Sequence, residues 1–242
     1  MTNHLLGIEF KEAEKSHLDS HKLAKTWYEV DKQMSVGKEL LDCMWVYVYK
    51  FDKHGRLVKC KARLVIRGDQ QAKGNQSDQA TYASTLAGRS FRTIMAIAAR
   101  FDLELIQYDV VNAFVNVELP FEIYMRMPPG YRKGGIVLRL YKALYGLRQA
   151  PLLWQNHFTT TLKSLGFKPI PHEPCCYTKN GVLLFFYVDD VVIAFKKNKK
   201  EQAKYLIQAI KDKYTLTGGD DLQWFLGIKI LRDRKQSLIK LS

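Results

Sequence analysis

The chain has 242 residues, 47% hydrophobic and 12% aromatic, which is ample for one large domain or two small packed lobes. Its 38 Lys and Arg against 24 Asp and Glu give a net charge of +14, which argues against an acidic small substrate and for a polyanion such as nucleic acid. The four cysteines, Cys43, Cys60, Cys175 and Cys176, form no CxxC pair and stand at no zinc-ligand spacing from the histidines, so a reduced intracellular compartment is expected.

Residues 1–25 are polar and read as a short helix or a frayed end, with His17 and His21 as ordinary surface residues. Met1 to Lys11 lacks the apolar core of a signal peptide, and the longest apolar run is short and contains Asp189 and Asp190, so neither secretion nor membrane insertion is expected. Trp45–Phe51, the turn 52–56 and Leu57–Arg67 predict a β-hairpin. On its second strand Lys59, Lys61, Arg63 and Arg67 alternate with Val58, Cys60, Ala62, Leu64 and Ile66, a basic ribbon over a buried face. Residues 69–80 read as a polar loop. Ser90 is expected to cap a helix with Phe91, Ile94, Met95, Ile97, Ala98 and Phe101 as its apolar stripe. A strand from Leu103 to Val110 then delivers Asp109. Pro151 opens a helix with Trp154, Phe158, Leu162 and Leu165 inward and Gly166 as its stop. Gly181–Phe195 reads as strand, tight turn, strand, with Asp189 and Asp190 at the turn. Beyond a solvated lysine run, Ala203, Leu206, Ile207, Ile210 and Tyr214 mark an amphipathic helix. Gly218–Asp221 is expected to be a turn before a strand from Leu222 to Ile230.

Two adjacent carboxylates between apolar strands cost several kcal/mol unless a cation compensates them, and a divalent metal is the natural compensator. A hairpin tip whose aspartates face water is the competing account. Asp109 ends a second apolar strand, and three aspartates on neighbouring strand ends suit two divalent ions about 3.5–4 Å apart.

Four ordered segments carry a resemblance: Tyr108–Asn116, Glu122–Tyr131, Leu144–Pro151 and Tyr187–Asp190. Together they resemble the reverse transcriptase of Ty1/copia-type LTR retrotransposons, a part of the Pol polyprotein, over about Trp27 to Ile230. The resemblance implies an α+β right-hand polymerase with fingers and palm, the palm an antiparallel sheet with helices packed on one face. Residues 1–25 would be an N-terminal extension, fingers about 26–90 and 118–145, and palm about 91–117 and 146–232 of a unit spanning 26–242, without thumb or RNase H. It implies RNA- and DNA-templated DNA synthesis with Asp109, Asp189 and Asp190 holding two Mg²⁺ (or Mn²⁺) ions. Lys61, Arg63, Val110, Val111, Phe114, Tyr145 and Gly146 would contact the nucleotide, Phe114 as a steric gate against the 2′-hydroxyl, with a core phenylalanine as the alternative. Arg148 and Gln149 would project toward template or nucleotide, or be exposed turn residues. Phe225, Leu226 and Gly227 would grip the primer. The implied partners are a primed RNA or DNA template, deoxynucleotide triphosphates and other Pol domains, with no membrane. A cytoplasmic virus-like particle or the nucleus is the implied location. Met44 before Trp45 and Gly218–Asp221 depart from the family pattern. A catalytically silent nucleic-acid-binding remnant, and a palm-fold nucleotide cyclase suggested by Gly218-Gly219-Asp220-Asp221, are the alternatives.

Overall fold

The computed structural model describes residues 5–52, 54–71 and 81–242; most of the loop expected at 69–80 lies outside them. In chain order the elements are α1 (Gly7–Leu23), β1 (Trp27–Asp31), β2 (Leu40–Leu41), β3 (Cys43–Phe51), β4 (Leu57–Ile66), α2 (Gly88–Arg100), β5 (Glu104–Val110), β6 (Glu118–Arg126) and β7 (Ile136–Lys142). There follow α3 (Ala150–Ser164), β8 (Lys168–Ile170), β9 (Glu173–Lys179), β10 (Val182–Tyr187), β11 (Asp190–Phe195), α4 (Lys200–Lys211), β12 (Leu216–Asp221), β13 (Trp224–Phe225), β14 (Ile228–Asp233) and β15 (Leu238–Leu241). This is a mixed α+β fold in two compact units, Met1–Tyr82 with Phe114–Leu153, and Ala83–Ala113 with Trp154–Ser242. No described helix is long and apolar enough to cross a membrane.

The first unit holds a sheet of order β1-β7-β6-β2 and the separate β3-β4 hairpin. Period-two burial on β4 places Cys60, Ala62, Leu64 and Ile66 inside, with Lys59 and Lys61 exposed and Arg63 half-buried; Val58, expected inside, is 65% exposed because it lies beside the hairpin's turn. The N-terminal residues form α1, which packs on this hairpin: Phe10 meets Tyr47 and Tyr49 edge-on at 5.0 and 5.2 Å. His17 and His21 are therefore not ordinary surface residues. Leu64 N–H donates to His17 Nε2 (3.0 Å), His21 Nε2 lies 3.1 Å from the same atom, and His21 Nδ1 is 2.9 Å from Thr26 Oγ1. Since His17 Nε2 accepts from Leu64, His21 carries its hydrogen on Nε2 and receives the Thr26 hydroxyl at Nδ1; both rings are neutral. Burial pushes the His17 pKa down to about 4, helped by Arg63 and Lys61, and the His21 pKa down to about 3, helped by His17.

The second unit is built on a six-stranded antiparallel sheet of order β12-β5-β11-β10-β9-β8. Helices cover both faces of this sheet, contrary to the expectation of one. Phe185 and Phe186 are neighbours on β10 and point to opposite sides. Phe185 meets Phe91 of α2 at 6.3 Å, and Phe186 meets Phe158 of α3 at 5.0 Å. Both rings are buried, so a strand that is apolar on both sides takes a helix on each. Ser90 is not the cap of α2: Ala87, with φ −69° and ψ 140°, occupies that position, and Ser90 Oγ is buried within the first turn with no hydrogen-bond partner among the described residues. Of the expected stripe, Phe91, Ile94, Met95 and Ala98 are buried, while Ile97 and Phe101 at its margin are exposed. Leu165 likewise sits half-buried at the edge of the α3 face formed by Trp154, Phe158 and Leu162.

Gly218–Asp221 is not a turn. It lies in β12, an edge strand on β5, with a register shift between Gly218 and Asp220. Gly218 and Gly219 take φ +87° and +106°, which absorbs the extra residue of the bulge. The expected strand 222–230 is instead the hairpin β13-β14, turned at Leu226 and Gly227 with φ +52° and +79°. All four cysteines are free and buried, and burial pushes Cys43 and Cys176 up to about 12 and Cys175 up to about 11.

Candidate active site

The second unit brings the three aspartates together. On β11 and β5, Asp190 is the direct antiparallel partner of Asp109, and Thr217 on β12 pairs with Asp109 from the other side. Paired residues project to the same face, so the two carboxylates lie side by side there. Asp189 sits in the two-residue turn between β10 and β11, and its carbonyl accepts from Val110 N–H at 2.8 Å. Val111 N–H donates to Thr215 O at 2.9 Å, so the segment leaving Asp109 is fixed by backbone bonds to two other chain segments.

The carboxylates differ in setting. Asp109 is exposed, whereas Asp189 and Asp190 are half-buried. Burial, and then the charge of Asp189, push the Asp190 pKa up; Gln107, whose Nε2 donates to Asp190 Oδ1 at 3.0 Å, works the other way. Among the described residues no group of three or more His, Cys, Asp or Glu side chains is placed to hold a metal ion by itself. The donor set nonetheless fits a hard divalent cation. Mg²⁺ is held by one or two carboxylates together with waters and substrate phosphates, not by an all-protein cage.

Two contributors are hidden in the sequence. Gln107 shares a face with Asp109 by period two, and a glutamine in an otherwise apolar strand was the available signal. The indole Nε1–H of Trp154 donates to the carbonyl of Val188 at 2.7 Å, a bond that nothing in the α3 pattern announces.

In the first unit another expected group is contiguous. The Arg63 guanidinium lies over the Tyr145 ring at 4.4 Å, and Phe114 meets the same ring edge-on at 4.5 Å. Phe114 is only 5% exposed, Tyr145 is half-buried, and Lys61 is on the exposed face of β4. Gly146 has φ +98°, and a Cβ there would stand 2.0 Å from Ile66 O. Ile66 N–H donates to Tyr145 O at 2.8 Å, which brings the end of β4 onto this turn. Gln149 does not project from the turn: it is 5% exposed and accepts from buried Gln71, whose own carbonyl takes the Arg148 N–H.

The expected primer-grip residues divide. Phe225 is buried, stacked on Phe91 at 5.1 Å and edge-on to Phe185 at 5.6 Å, whereas Leu226 is 45% exposed at the hairpin turn beside Gly227.

Comparison with known proteins identifies the family. The family described as "Reverse transcriptase (RNA-dependent DNA polymerase)" matches residues 24–242. A "Retrovirus-related Pol polyprotein from transposon TNT 1-94" of Nicotiana tabacum is 37% identical over 218 residues, 87% of this chain and 16% of that protein. The corresponding polyprotein from transposon RE2 of Arabidopsis thaliana is 31% identical over 80% of this chain and 14% of its own length. The "Transposon Ty1-BL Gag-Pol polyprotein" of Saccharomyces cerevisiae is 27% identical over 78% of this chain and 11% of its own length. The chain thus spans a small part of each of these relatives. With the family match running over nearly all of its residues, the chain belongs to the reverse transcriptase (RNA-dependent DNA polymerase) family.

Proposed function

We propose that this chain is the polymerase core of a retrotransposon Pol polyprotein, which adds deoxynucleotides to a primer 3′-hydroxyl on an RNA or DNA template. The observation that carries the reading is the direct pairing of Asp190 with Asp109 beside a turn that presents Asp189. In this reading the first unit serves as fingers and the second as palm. Asp109, Asp189 and Asp190 hold two Mg²⁺ or Mn²⁺ ions, which when bound activate the primer hydroxyl and offset triphosphate charge.

The remaining roles fall to the chain's own groups. Lys61 and Arg63 neutralise phosphate oxygens as charge shifts during transfer, and Tyr145 aims the Arg63 guanidinium by lying under it. Gly146, Val110 and Val111 line the nucleotide with backbone, and the Phe114 ring excludes a 2′-hydroxyl by clash. Phe225 anchors the β13-β14 hairpin in the core so that Leu226 and Gly227 present the turn backbone to the primer end. The net charge of +14 supports a primed RNA or DNA duplex as partner. Other Pol domains accompany the chain in a longer polyprotein, with the cytoplasmic particle or the nucleus as its place of work.

The cyclase alternative loses its motif, because Gly218–Asp221 pairs as an edge strand. Primer extension on RNA and DNA templates with Mg²⁺ or Mn²⁺ tests the proposal. Wild-type chain is expected to extend both, and Asp189→Asn to lose about 10³-fold or more in rate, the size of several kcal/mol of charge stabilisation. No metal-dependent extension by the wild type would leave a nucleic-acid-binding remnant. Equal rates for Asp189→Asn would refute the carboxylate assignment.

A further inference from the structure

Val188 is the one β-branched residue at positive φ among the described residues, at +55°. A Cβ-branched side chain in that region is strained, and such strain persists only where the surroundings hold it. The turn is two residues long, with Tyr187 paired to Asp190, so the Val188 carbonyl points away from the β10-β11 ladder and needs a donor from elsewhere. Trp154 supplies it at 2.7 Å. The indole is 1% exposed, stacked on Phe158 at 5.1 Å and 19°, and met edge-on by Tyr214 at 5.4 Å. The Tyr214 hydroxyl is bonded in turn to Thr161 Oγ1 on α3 at 2.7 Å, so the donor is aimed by packing before it bonds.

The two peptide planes flanking Asp189 are thus both held. Trp154 takes the carbonyl before it and Val110 N–H takes the carbonyl after it, which fixes the backbone of Asp189 and the direction of its Cα–Cβ bond. We propose that Trp154 is a positioning residue of the active site, whose indole N–H holds the Val188–Asp189 turn in the strained form that presents the metal-binding carboxylates. This inference deepens the polymerase reading and rests on it for its catalytic meaning. The indole N–H is engaged by the Val188 carbonyl, so Trp154 acts through the turn. A tryptophan that only packed would be replaceable by another large ring, which the N–H role forbids.

Trp154→Phe keeps a ring in the core and removes the donor; the benzothiophene analogue of tryptophan at the same position keeps the bicyclic shape as well, and serves if Trp154→Phe does not fold. Amide exchange of Val110 and Asp190 is measured on the full chain without metal, primer or nucleotide, followed by Mn²⁺ titration and by kcat and KM for extension. Exchange at these two amides is expected to quicken about tenfold, the size of one hydrogen bond, while the Val192 amide in the same sheet is unchanged. Mn²⁺ binding should weaken and kcat should fall with KM for the nucleotide unchanged. Adding Val188→Gly, which relieves the strained φ, should return exchange toward that of Val188→Gly alone. Unchanged exchange at Val110 and Asp190, or quickening equal at Val192, would overturn the proposal. Wild-type chain that never extends primers would strike down the polymerase reading, while the exchange result would still decide the role of Trp154.

Discussion

Two tight turns carry most of the candidate chemistry, one in each unit, and they meet the same backbone demand differently. At Tyr145-Gly146 the positive φ falls on glycine, because a Cβ would stand 2.0 Å from Ile66 O and backbone cannot yield. At Val188-Asp189 it falls on valine, and a side-chain donor from α3 holds the carbonyl that follows. The first turn is specified by close approach of main chain, with Gly68 repeating the pattern: its Cβ would stand 2.0 Å from Gly146 O. The second is specified by a side chain that the turn's own sequence does not mention. A turn that must be rigid can be built with either device, but only the second leaves a residue elsewhere in the chain able to tune it.

Gly146→Ala would break the first turn, and a loss of about 3–5 kcal/mol in unfolding free energy is expected, because both the left-handed φ and the Ile66 contact are violated. Val188→Gly, the reverse change at the second turn, should stay within about 1 kcal/mol of wild type in the same urea titration, since relieved strain offsets the added freedom of the unfolded chain. If both substitutions cost the same, the contrast between the turns is wrong.

Phe114 sharpens what the first turn is for. Phe114→Val opens space beside Tyr145, and the ratio of ribonucleotide to deoxynucleotide kcat/KM is expected to rise roughly a hundredfold if the ring excludes the 2′-hydroxyl. An unchanged ratio accompanied by lost stability would make Phe114 a core residue held by the same turn, as its 5% exposure would then explain.

The first unit should also answer to acid. His17 and His21 have native pKa values of about 4 and about 3, below the ordinary 6.5, so the unfolded chain binds more protons than the folded one across the interval between. Stability contributed by the neutral pair is therefore complete above about pH 6.5 and is lost as pH falls toward 4, by on the order of a few kcal/mol. Denaturation followed through Trp45, which lies 5.9 Å edge-on to His17, should show this loss, and a His17→Gln, His21→Gln chain should flatten it.

The smallest effect is expected at the second turn. The raised pKa of Asp190 means that its charged form is disfavoured in the metal-free fold, so the group lowers stability above its native pKa. Asp190→Asn keeps an acceptor for Gln107 and removes the repulsion with Asp189, and a rise in Tm of about 2–4 °C is expected without metal. A fall in Tm would show that the carboxylate is stabilised there by groups beyond Gln107.

Much of the site was legible in the order of residues. Apolar alternation that ends at an aspartate places Asp109 and the Asp189-Asp190 pair at strand ends, because period-two burial and the cost of an uncompensated charge both act locally. The β3-β4 hairpin, its basic face and the α3 and α4 stripes follow from the same local rules. Tertiary contact decided the rest. Composition marks Gly218–Asp221 as a turn, yet β5 offers an edge whose unpaired groups it satisfies as a bulged strand. A polar N-terminal helix looks dispensable until Leu64 N–H finds His17 across 47 residues. Phe185 and Phe186 announce a strand buried on both sides, but which helix covers which side depends on the crossing of chain segments far apart in sequence. Trp154 is one of several apolar positions on α3, and its hydrogen bond exists only because the fold sets that helix against a turn 34 residues later. Sequence determines which groups must be buried or paired; the partner that meets each of them is a property of the packed chain.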